Sequence, residues 1–253
     1  MASTSLLNTL FVGHHRLHFS SLDSTNNYLK DFVGKQHPQE GLVIIADYQT
    51  SGRGQIGNSW KANPAQNLLM SVFLKPRSLA TSHSFFFNMS VCLAVADALN
   101  EFHSGFQVKW PNDILFDSKK VCGILIENTL SGSYILNSVV GIGINVNQQE
   151  FSVEASKATS LRNILGRVQD LRFVENKVLT MLEKRYLQLS RDRHALLQDY
   201  FSLLYGYKQE VKAVVDGQSV VALIEDVWAD GTLKAEIRGE SRLFQFKEIS
   251  FIL

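Results

Sequence analysis

The chain has 253 residues, of which 45% are hydrophobic and 19% charged, and this composition predicts an ordered globular protein. Lys and Arg total 25 against 24 Asp and Glu, which argues against a protein that binds nucleic acid through a strongly basic charge. The sequence has neither a run of about 18 apolar residues nor a basic start followed by an apolar core. We therefore expect a cytoplasmic protein without membrane or nucleic-acid partners.

The first predicted elements are a helix, two strands and a second helix. DSTNNYLKDF (23–32) places capping side chains in front of helically spaced apolar residues, so a helix begins here. GLVIIADYQ (41–49) and NLLMSVFL (67–74) predict two buried strands, joined by a long Gly-rich loop. Apolar residues three or four positions apart predict a core-facing helix over 84–102 that packs on the sheet.

The second half of the chain changes from mixed elements to short strands. FQVKW (106–110) predicts a strand, and the segments 121–128 and 134–146 predict an antiparallel hairpin around a Leu-Ser-Gly-Ser turn. Residues 173–204 have the spacing of two helices or of one broken helix. Beyond Gly206, short apolar strands separated by Asp-Gly-type turns predict a small β-barrel of about 45 residues.

These elements predict an α+β fold with a mixed β-sheet flanked by helices. We place the larger domain at residues 1–205 and the small C-terminal β-barrel at 206–253. No internal repeat or long linker separates the two parts, so we expect them to be closely coupled.

Chemistry is not expected from cysteine. Cys92 and Cys122 lie in apolar surroundings without the spacing of a metal or redox site, which predicts buried free thiols.

TSGRGQIGNSW (50–60) is a better candidate for a functional segment. Its glycines let the backbone approach an anion, and its amides can form a concave nest. A flexible surface loop with Trp60 as a core anchor is the alternative.

A second candidate segment is VKWPNDILF (108–116). It brings Lys109, Asn112 and Asp113 into a short turn fixed by Pro111. A cation, an amide and a carboxylate in one turn suit a nucleotide or its magnesium ion. The same residues also fit a rigid structural turn.

Two further segments lie on predicted strands. Lys119 and Lys120 precede a strand that carries Gly123, so a lysine could point at a ligand for which the glycine leaves room. The alternative is a solvated turn. GIGIN (141–145) places two glycines at alternate strand positions, which indicates close approach of a ligand or of another backbone, with Asn145 facing the same site. A β-bulge is the alternative.

In this order the segments resemble biotin–protein ligases, also called holocarboxylase synthetases. The segments that carry the resemblance are SLDSTN (21–26), ADYQTSGRGQIGNSW (46–60), KWPND (109–113), KKVCGILIE (119–127) and GIGINV (141–146). The resemblance implies a catalytic core like that of class II aminoacyl-tRNA synthetases and an SH3-like C-terminal barrel.

The family's activity has two steps. Biotin and ATP, with Mg²⁺, form biotinyl-5′-AMP and pyrophosphate, and a lysine of a biotin carboxyl carrier protein then attacks the mixed anhydride. The resemblance therefore implies a biotin–[acetyl-CoA-carboxylase] ligase whose partner is a biotin-dependent carboxylase.

The resemblance also implies a set of site residues. Those expected to contact biotin are Ser24, Thr25, Asn26, Gln49, Gly52, Arg53, Gly54, Gln55, Lys120 and Gly123. Those expected to contact ATP are Trp60, Lys109, Asn112, Asp113 and Asn145. Lys120 and Arg53 are the expected catalytic cations, and the loop around Arg53 is expected to order when ligand binds.

Two features bear on how far the resemblance extends. Well-known members carry a basic residue where this chain has Gln55, which puts retention of the acyl-adenylate in doubt. The match begins near His18, so we expect no winged helix-turn-helix domain and a ligase that is not a repressor.

Two other readings remain open. A lipoate or octanoate ligase or transferase shares the broader fold but should lack the 50–60 loop and the small barrel. A biotin-binding module without ligase activity should lack Lys120 or the Gly-Arg-Gly sequence, and both are present. Monomers and homodimers both fit the family.

Overall fold

The computed structural model describes residues 7–55, 57–77, 79–152 and 157–253, which form two β-sheets and five α-helices. In chain order the strands of the first sheet are β1 (Arg16–Phe19), β2 (Val43–Ala46), β3 (Leu68–Leu74), β4 (Phe106–Lys109), β5 (Asp113–Phe116), β6 (Lys119–Ser131) and β7 (Tyr134–Ile144). They lie side by side in the order β1-β2-β3-β7-β6-β5-β4. β1 pairs with β2 in parallel, and the other neighbours are antiparallel, so the sheet is mixed as predicted.

Helices cover both faces of this sheet. They are α1 (Thr25–Gln36), α2 (Phe85–Asn100), α3 (Leu161–Leu165), α4 (Leu171–Arg191) and α5 (Arg193–Leu203). Successive strand residues point to opposite faces, and Ile44 of β2 joins Leu29 of α1 in one apolar cluster, while Val43 and Ile45 face the larger cluster that contains α2 and α4. The sheet is therefore sandwiched between α1 and the helical layer.

The helix α2 has the composition of a membrane span but the setting of a core helix. Residues Thr81–Asn100 are long and apolar enough to cross a bilayer, yet 67% of that window is buried inside the fold. It contacts α4, α5 and the strands β4 and β5. The predicted core-facing helix over 84–102 is thus confirmed.

The second sheet is antiparallel and lies at the C-terminal end of the chain. Its strands are β8 (Glu210–Val215), β9 (Gln218–Val227), β10 (Leu233–Ile237), β11 (Glu240–Phe244) and β12 (Ile249–Phe251), in the order β11-β10-β9-β8-β12. The sheet is consistent with the expected SH3-like fold. The predicted boundary at residue 206 falls between α5 and β8, and the division into two domains stays a prediction.

The two sheets are joined by a continuous apolar core. The Trp110 indole N–H donates to the backbone oxygen of Gly231 at 3.0 Å, and its ring centroid lies 5.3 Å from that of Phe246. The backbone N–H of Tyr205 donates to the backbone oxygen of Val108 at 2.8 Å. These contacts fix the second sheet against the edge of the first.

Candidate active site

One face of the first sheet forms the floor of a cavity of about 250 Å³, which we call the central cavity. In one row across the sheet Gly143 pairs with Gly123, and Gly123 pairs with Asp113. In the neighbouring row Ser71 pairs with Gly141. Residues paired across strands project to the same face, so the three glycines let other side chains approach the backbone closely on this face. The strands pair regularly through both GIGIN glycines, which fits close approach and not a bulge.

The N-terminus of α1 forms one wall of the central cavity. The backbone N–H and the hydroxyl of Thr25 donate to Gln49 Oε1 at 2.8 and 3.1 Å. The Ser71 hydroxyl donates to Asn26 Oδ1 at 2.6 Å and lies 2.7 Å from Thr25 Oγ1. A Cβ at Gly141 would lie 2.3 Å from Asn26 Oδ1, so glycine is required beneath this network. Amide and hydroxyl groups are therefore held in fixed orientations at one end of the cavity.

Glu127 of β6 organises the cations beside that wall. It accepts hydrogen bonds from Lys30 Nζ at 2.8 Å, from Asn26 Nδ2 at 3.0 Å and from both terminal nitrogens of Arg53 at 3.1 Å. Arg53 also donates to Asn27 Oδ1 at 2.7 Å. Burial alone would raise the pKa of Glu127, but the hydrogen bonds from these donors outweigh it and hold that pKa below its ordinary value.

The glycine-rich loop folds back on itself beside the cavity. The backbone N–H of Trp60 donates to the oxygen of Gly52 at 2.9 Å, and that of Gly54 donates to Asn58 at 2.9 Å. A Cβ at Gly52 would lie 2.3 Å from the Trp60 backbone oxygen, so the chain can cross here only with glycine. These backbone hydrogen bonds close the loop over its described residues, and Ile56 lies outside them. The expected ordering of the loop on ligand binding stays a prediction.

Trp60 covers the glycine row. A Cβ at Gly143 would lie 2.6 Å from Trp60 Cε2, and one at Gly123 would lie 2.8 Å from Trp60 Cζ3. The indole Nε1 is buried without a hydrogen-bond partner in the described part of the chain. An indole on a glycine floor offers a flat apolar surface and an unused donor to a ligand.

Three charged side chains meet at the end of the glycine row. Lys120 Nζ lies 2.6 Å from Asp113 Oδ1, and Lys109 Nζ lies 3.6 Å from Asp113 Oδ2. Lys120 Nζ also lies 5.5 Å from the Trp60 ring centroid, and about a third of the Lys120 side chain is exposed. Since one carboxylate is shared by two ammonium groups, this corner has an excess of positive charge available to an anion.

Most of the predicted site residues line the central cavity. They are Ser24, Thr25, Asn26, Gln49, Arg53, Gly54, Gln55, Trp60, Lys109, Asn112, Asp113, Lys120 and Gly123. Their common position follows from the fold, because the N-terminus of α1, the loop after β2 and the first residues of β5 and β6 meet at this face.

Gly52 and Asn145 are not among the described residues that line the cavity. Gly52 supports the base of the loop, as the close approach to Trp60 requires. Asn145 is buried, and its Nδ2 donates to the backbone oxygens of Thr159 at 3.1 Å and Lys120 at 3.5 Å. Its amide therefore fixes the backbone beside Lys120, and the expected contact with a nucleotide stays a prediction.

Sequence reasoning missed several lining or supporting residues, among them Ser71, Glu127 and Lys247. Ser71 is the polar residue of the fully buried strand β3, and Glu127 is a carboxylate on strand β6. An isolated polar residue on an apolar strand was the signal that could have identified both as candidates. Lys247 lines the cavity from the second sheet. A single lysine in a turn between short strands offers no such signal.

Neither thiol chemistry nor a resident metal is supported. Cys92 and Cys122 are free and fully buried, as predicted. Burial raises the pKa of both thiols, and the nearby charge of Lys120 does not offset this at Cys122. In the described residues no group of three or more His, Cys, Asp or Glu side chains could hold a metal ion.

Comparison with known proteins identifies the family. The sequence model of the biotin/lipoate A/B protein ligase family matches residues 18–145. The chain is also 30% identical over 210 residues to the biotin–[acetyl-CoA-carboxylase] ligase of Mycobacterium tuberculosis, covering 80% of this chain and 76% of that protein. The chain belongs to the biotin/lipoate A/B protein ligase family. The expected family membership is thereby confirmed.

A solved structure agrees with this family assignment. The biotin protein ligase of Aquifex aeolicus, in complex with biotin and ATP, superimposes with a TM-score of 0.78 at 28% identity, covering 94% of this chain and 99% of that one. The expected α+β ligase fold is confirmed by this match. The bifunctional ligase/repressor BirA of Bacillus subtilis is 34% identical over 185 residues, and the chain matches only 56% of that protein's length.

Proposed function

We propose that this chain is a biotin–protein ligase, which activates biotin with ATP and transfers it to a lysine of a carrier protein. The observation that carries the proposal is the Lys120–Asp113–Lys109 cluster at the end of a glycine floor, opposite a wall of fixed amide and hydroxyl groups. The named relatives in Mycobacterium tuberculosis and Aquifex aeolicus support the same activity.

The polar wall suits the ureido end of biotin. A ureido group has one acceptor oxygen and two N–H donors, and it needs partners of both kinds when it is desolvated. Thr25, Asn26 and Gln49 supply hydroxyl and amide groups within one network with Ser71. Ser24 adds a cavity-lining hydroxyl that accepts from the backbone N–H of Asn27 at the start of α1. We infer that this wall binds the bicyclic ring, while the neighbouring apolar strand residues contact the acyl chain.

The cationic corner suits the reacting groups. In the first step a biotin carboxylate oxygen attacks the α-phosphorus of ATP, the bond to the β-phosphate oxygen breaks, and pyrophosphate leaves. Both reactants are anions, so Lys120 and Arg53 reduce their repulsion and stabilise the charge that develops around phosphorus. We infer that Lys109, which lines the cavity beside Asp113, contacts the remaining phosphates and that Trp60 packs beside the adenine.

The second step uses the same residues. A neutral lysine amine of the carrier attacks the acyl carbon of biotinyl-5′-AMP, the bond from that carbon to the phosphate oxygen breaks, AMP leaves, and the nitrogen loses one proton to solvent. Lys120 stabilises the negative charge on the leaving phosphate and on the acyl oxygen. No protein nucleophile is required, which agrees with the raised pKa of both buried thiols.

We propose that Mg²⁺ enters as Mg-ATP. Asp113 is the one carboxylate among the described cavity-lining residues, and both of its oxygens already face lysines. A single shared carboxylate fits a magnesium ion held mainly by substrate phosphates and water, which is the usual arrangement in nucleotide sites.

Three further proposals concern the partner, the cellular setting and the domains. We propose a biotin carboxyl carrier protein of a biotin-dependent carboxylase as the acceptor and the cytoplasm as the place of reaction. We also propose that residues 1–205 form the catalytic domain and that 206–253 form a small domain packed against it.

The experiment is a pyrophosphate-release assay with biotin or lipoate as the acid. We expect release with biotin, and expect Lys120→Ala to reduce its rate by about 100-fold or more, because a charge at the reacting centre is lost. Lys119→Ala is the matched control, because Lys119 is exposed on the same strand and outside the cavity lining, and it should behave as wild type. Preference for lipoate, or equal effects of both substitutions, would overturn the proposal.

A further inference from the structure

Lys247 brings a cation from the second sheet into the central cavity. It lies in the turn between β11 and β12 and lines the cavity together with Gln55. Its Nζ lies 3.8 Å from the position that a Cβ on Gly57 would take, at the glycine-rich loop. The small domain therefore supplies a charged group to a site that is otherwise built on the first sheet.

The backbone at Lys247 is unusual for a residue with a side chain. Its φ is +76°, in the region where glycine is favoured because a Cβ is crowded. A residue that keeps such a conformation against its steric preference is a candidate for a functional role. Here the strained position carries the side chain that reaches the cavity.

The charges already present in the cavity show what Lys247 adds. In the described lining, Arg53 is paired with Glu127, and Lys109 and Lys120 share Asp113. Lys247 is a fourth lining cation, and it comes from the glycine-rich loop side. A polyanionic ligand lying between that loop and Lys120 would thus meet positive charge at both places.

We propose that Lys247 binds a phosphate group of ATP and then of the acyl-adenylate, and that it holds the adenylate in the cavity until the acceptor arrives. This proposal rests on the ligase function. Lys247 is a binding and retention residue, and the charge of Lys120 remains the catalytic one. Because its charge comes from another sheet, retention depends on how the small domain sits on the first sheet.

Two substitutions separate charge from backbone strain. Lys247→Gln removes the charge and leaves a side chain at positive φ, whereas Lys247→Gly removes both the charge and the strain. Both variants should weaken ATP binding and shorten the lifetime of the adenylate by about tenfold, because one charge-assisted contact is lost. Lys247→Gly should in addition melt at a higher temperature than wild type.

Lys208→Gly is the matched control. Lys208 also has a positive φ, +57°, and belongs to the same small domain, but its Nζ lies over the Tyr207 ring at 5.3 Å and it does not line the cavity. This variant should melt higher while its ATP affinity and adenylate lifetime stay at the wild-type values.

The measurements are ATP binding by calorimetry, without biotin, and decay of preformed adenylate in a single turnover, each at low and high salt. Weaker binding and faster decay in both Lys247 variants, with a smaller difference at high salt, support the proposal, because screening reduces a charge contact. Wild-type values for both variants overturn it, while pyrophosphate release by wild-type protein still upholds the ligase function. A wild-type protein that releases no pyrophosphate from ATP in the presence of biotin would overturn both.

Discussion

Replacement of Gly143 by alanine tests whether the glycine floor exists to seat Trp60. The added Cβ would lie 2.6 Å from Trp60 Cε2, whereas carbon atoms in good contact lie about 3.5–4.0 Å apart, so the ring must move by roughly 1 Å. Overpacking of this kind costs about 1–3 kcal/mol, and the alanine recovers about 0.4–1 kcal/mol by restricting the unfolded chain. The φ of Gly143 is not in the left-handed region, so backbone strain adds nothing.

We therefore expect Gly143→Ala to lower the free energy of unfolding by about 1 kcal/mol, measured by urea denaturation. ATP affinity should fall as well, because the indole that we place beside the adenine is displaced. Tryptophan emission should change relative to wild type, and the change should disappear when Trp60→Phe is the background. In that background only Trp110 and Trp228 contribute to the emission.

Gly34→Ala is the matched control, because the added Cβ would have free space around it. Gly34 is exposed on α1, and a Cβ there would meet nothing within 4 Å. Alanine in a helix should raise the free energy of unfolding by about 0.5–1 kcal/mol without changing ATP affinity. If Gly143→Ala gave this same stabilisation and unchanged emission, the close packing of Trp60 on the floor would be refuted.

Three further predictions concern buried groups. Glu183→Gln should lower the free energy of unfolding by about 2 kcal/mol, because the carboxylate accepts backbone N–H groups of residues 10–12 at 2.5–3.0 Å; a loss below about 0.5 kcal/mol in urea denaturation would contradict this. The pKa of Glu127 lies below its ordinary value despite burial, so its contribution to stability should be present above about pH 4.3 and be lost as the pH falls through the lowered pKa. Melting curves of Glu127→Gln should show a shallower decline in that acid range, and a decline equal to that of wild type would count against the ion-pair network. Cys92 and Cys122 should react with a thiol reagent only after unfolding, and labelling of the native protein would show that the thiols are accessible.

Elements with a strong period or a clear turn could be predicted from the sequence. The helix α2 follows from its helically spaced apolar residues, and the β6–β7 hairpin follows from two apolar runs around a Ser-Gly turn. Strand β1 was missed because four residues are too few for the alternation of Leu17 and Phe19 with polar residues to be distinctive, and α3 was missed because it is a single short turn. The division of 173–204 into α4 and α5 depends on Asp192, which caps α5 through its side chain.

Which residues line the cavity could be predicted where a motif fixes the backbone. It was harder to predict where a side chain has several possible hydrogen-bond partners. The loop 50–60 and Lys120 reach the cavity because glycines and strand pairing leave few alternatives. Asn145 does not line it, since a buried amide next to several backbone carbonyls binds those that the tertiary fold brings near. Lys247 was missed because its approach depends on the packing of one sheet against another.

The most direct test is transfer of biotin to a carboxyl carrier domain, followed by intact-protein and peptide mass spectrometry. The protein is incubated with biotin, Mg-ATP and the carrier, beside Lys120→Ala and Lys119→Ala as the inactive and control variants. Our account predicts one biotinyl group on the carrier's acceptor lysine with wild type and Lys119→Ala, and greatly reduced transfer with Lys120→Ala. An unmodified carrier with wild-type protein, or equal transfer by Lys120→Ala and wild type, would contradict it.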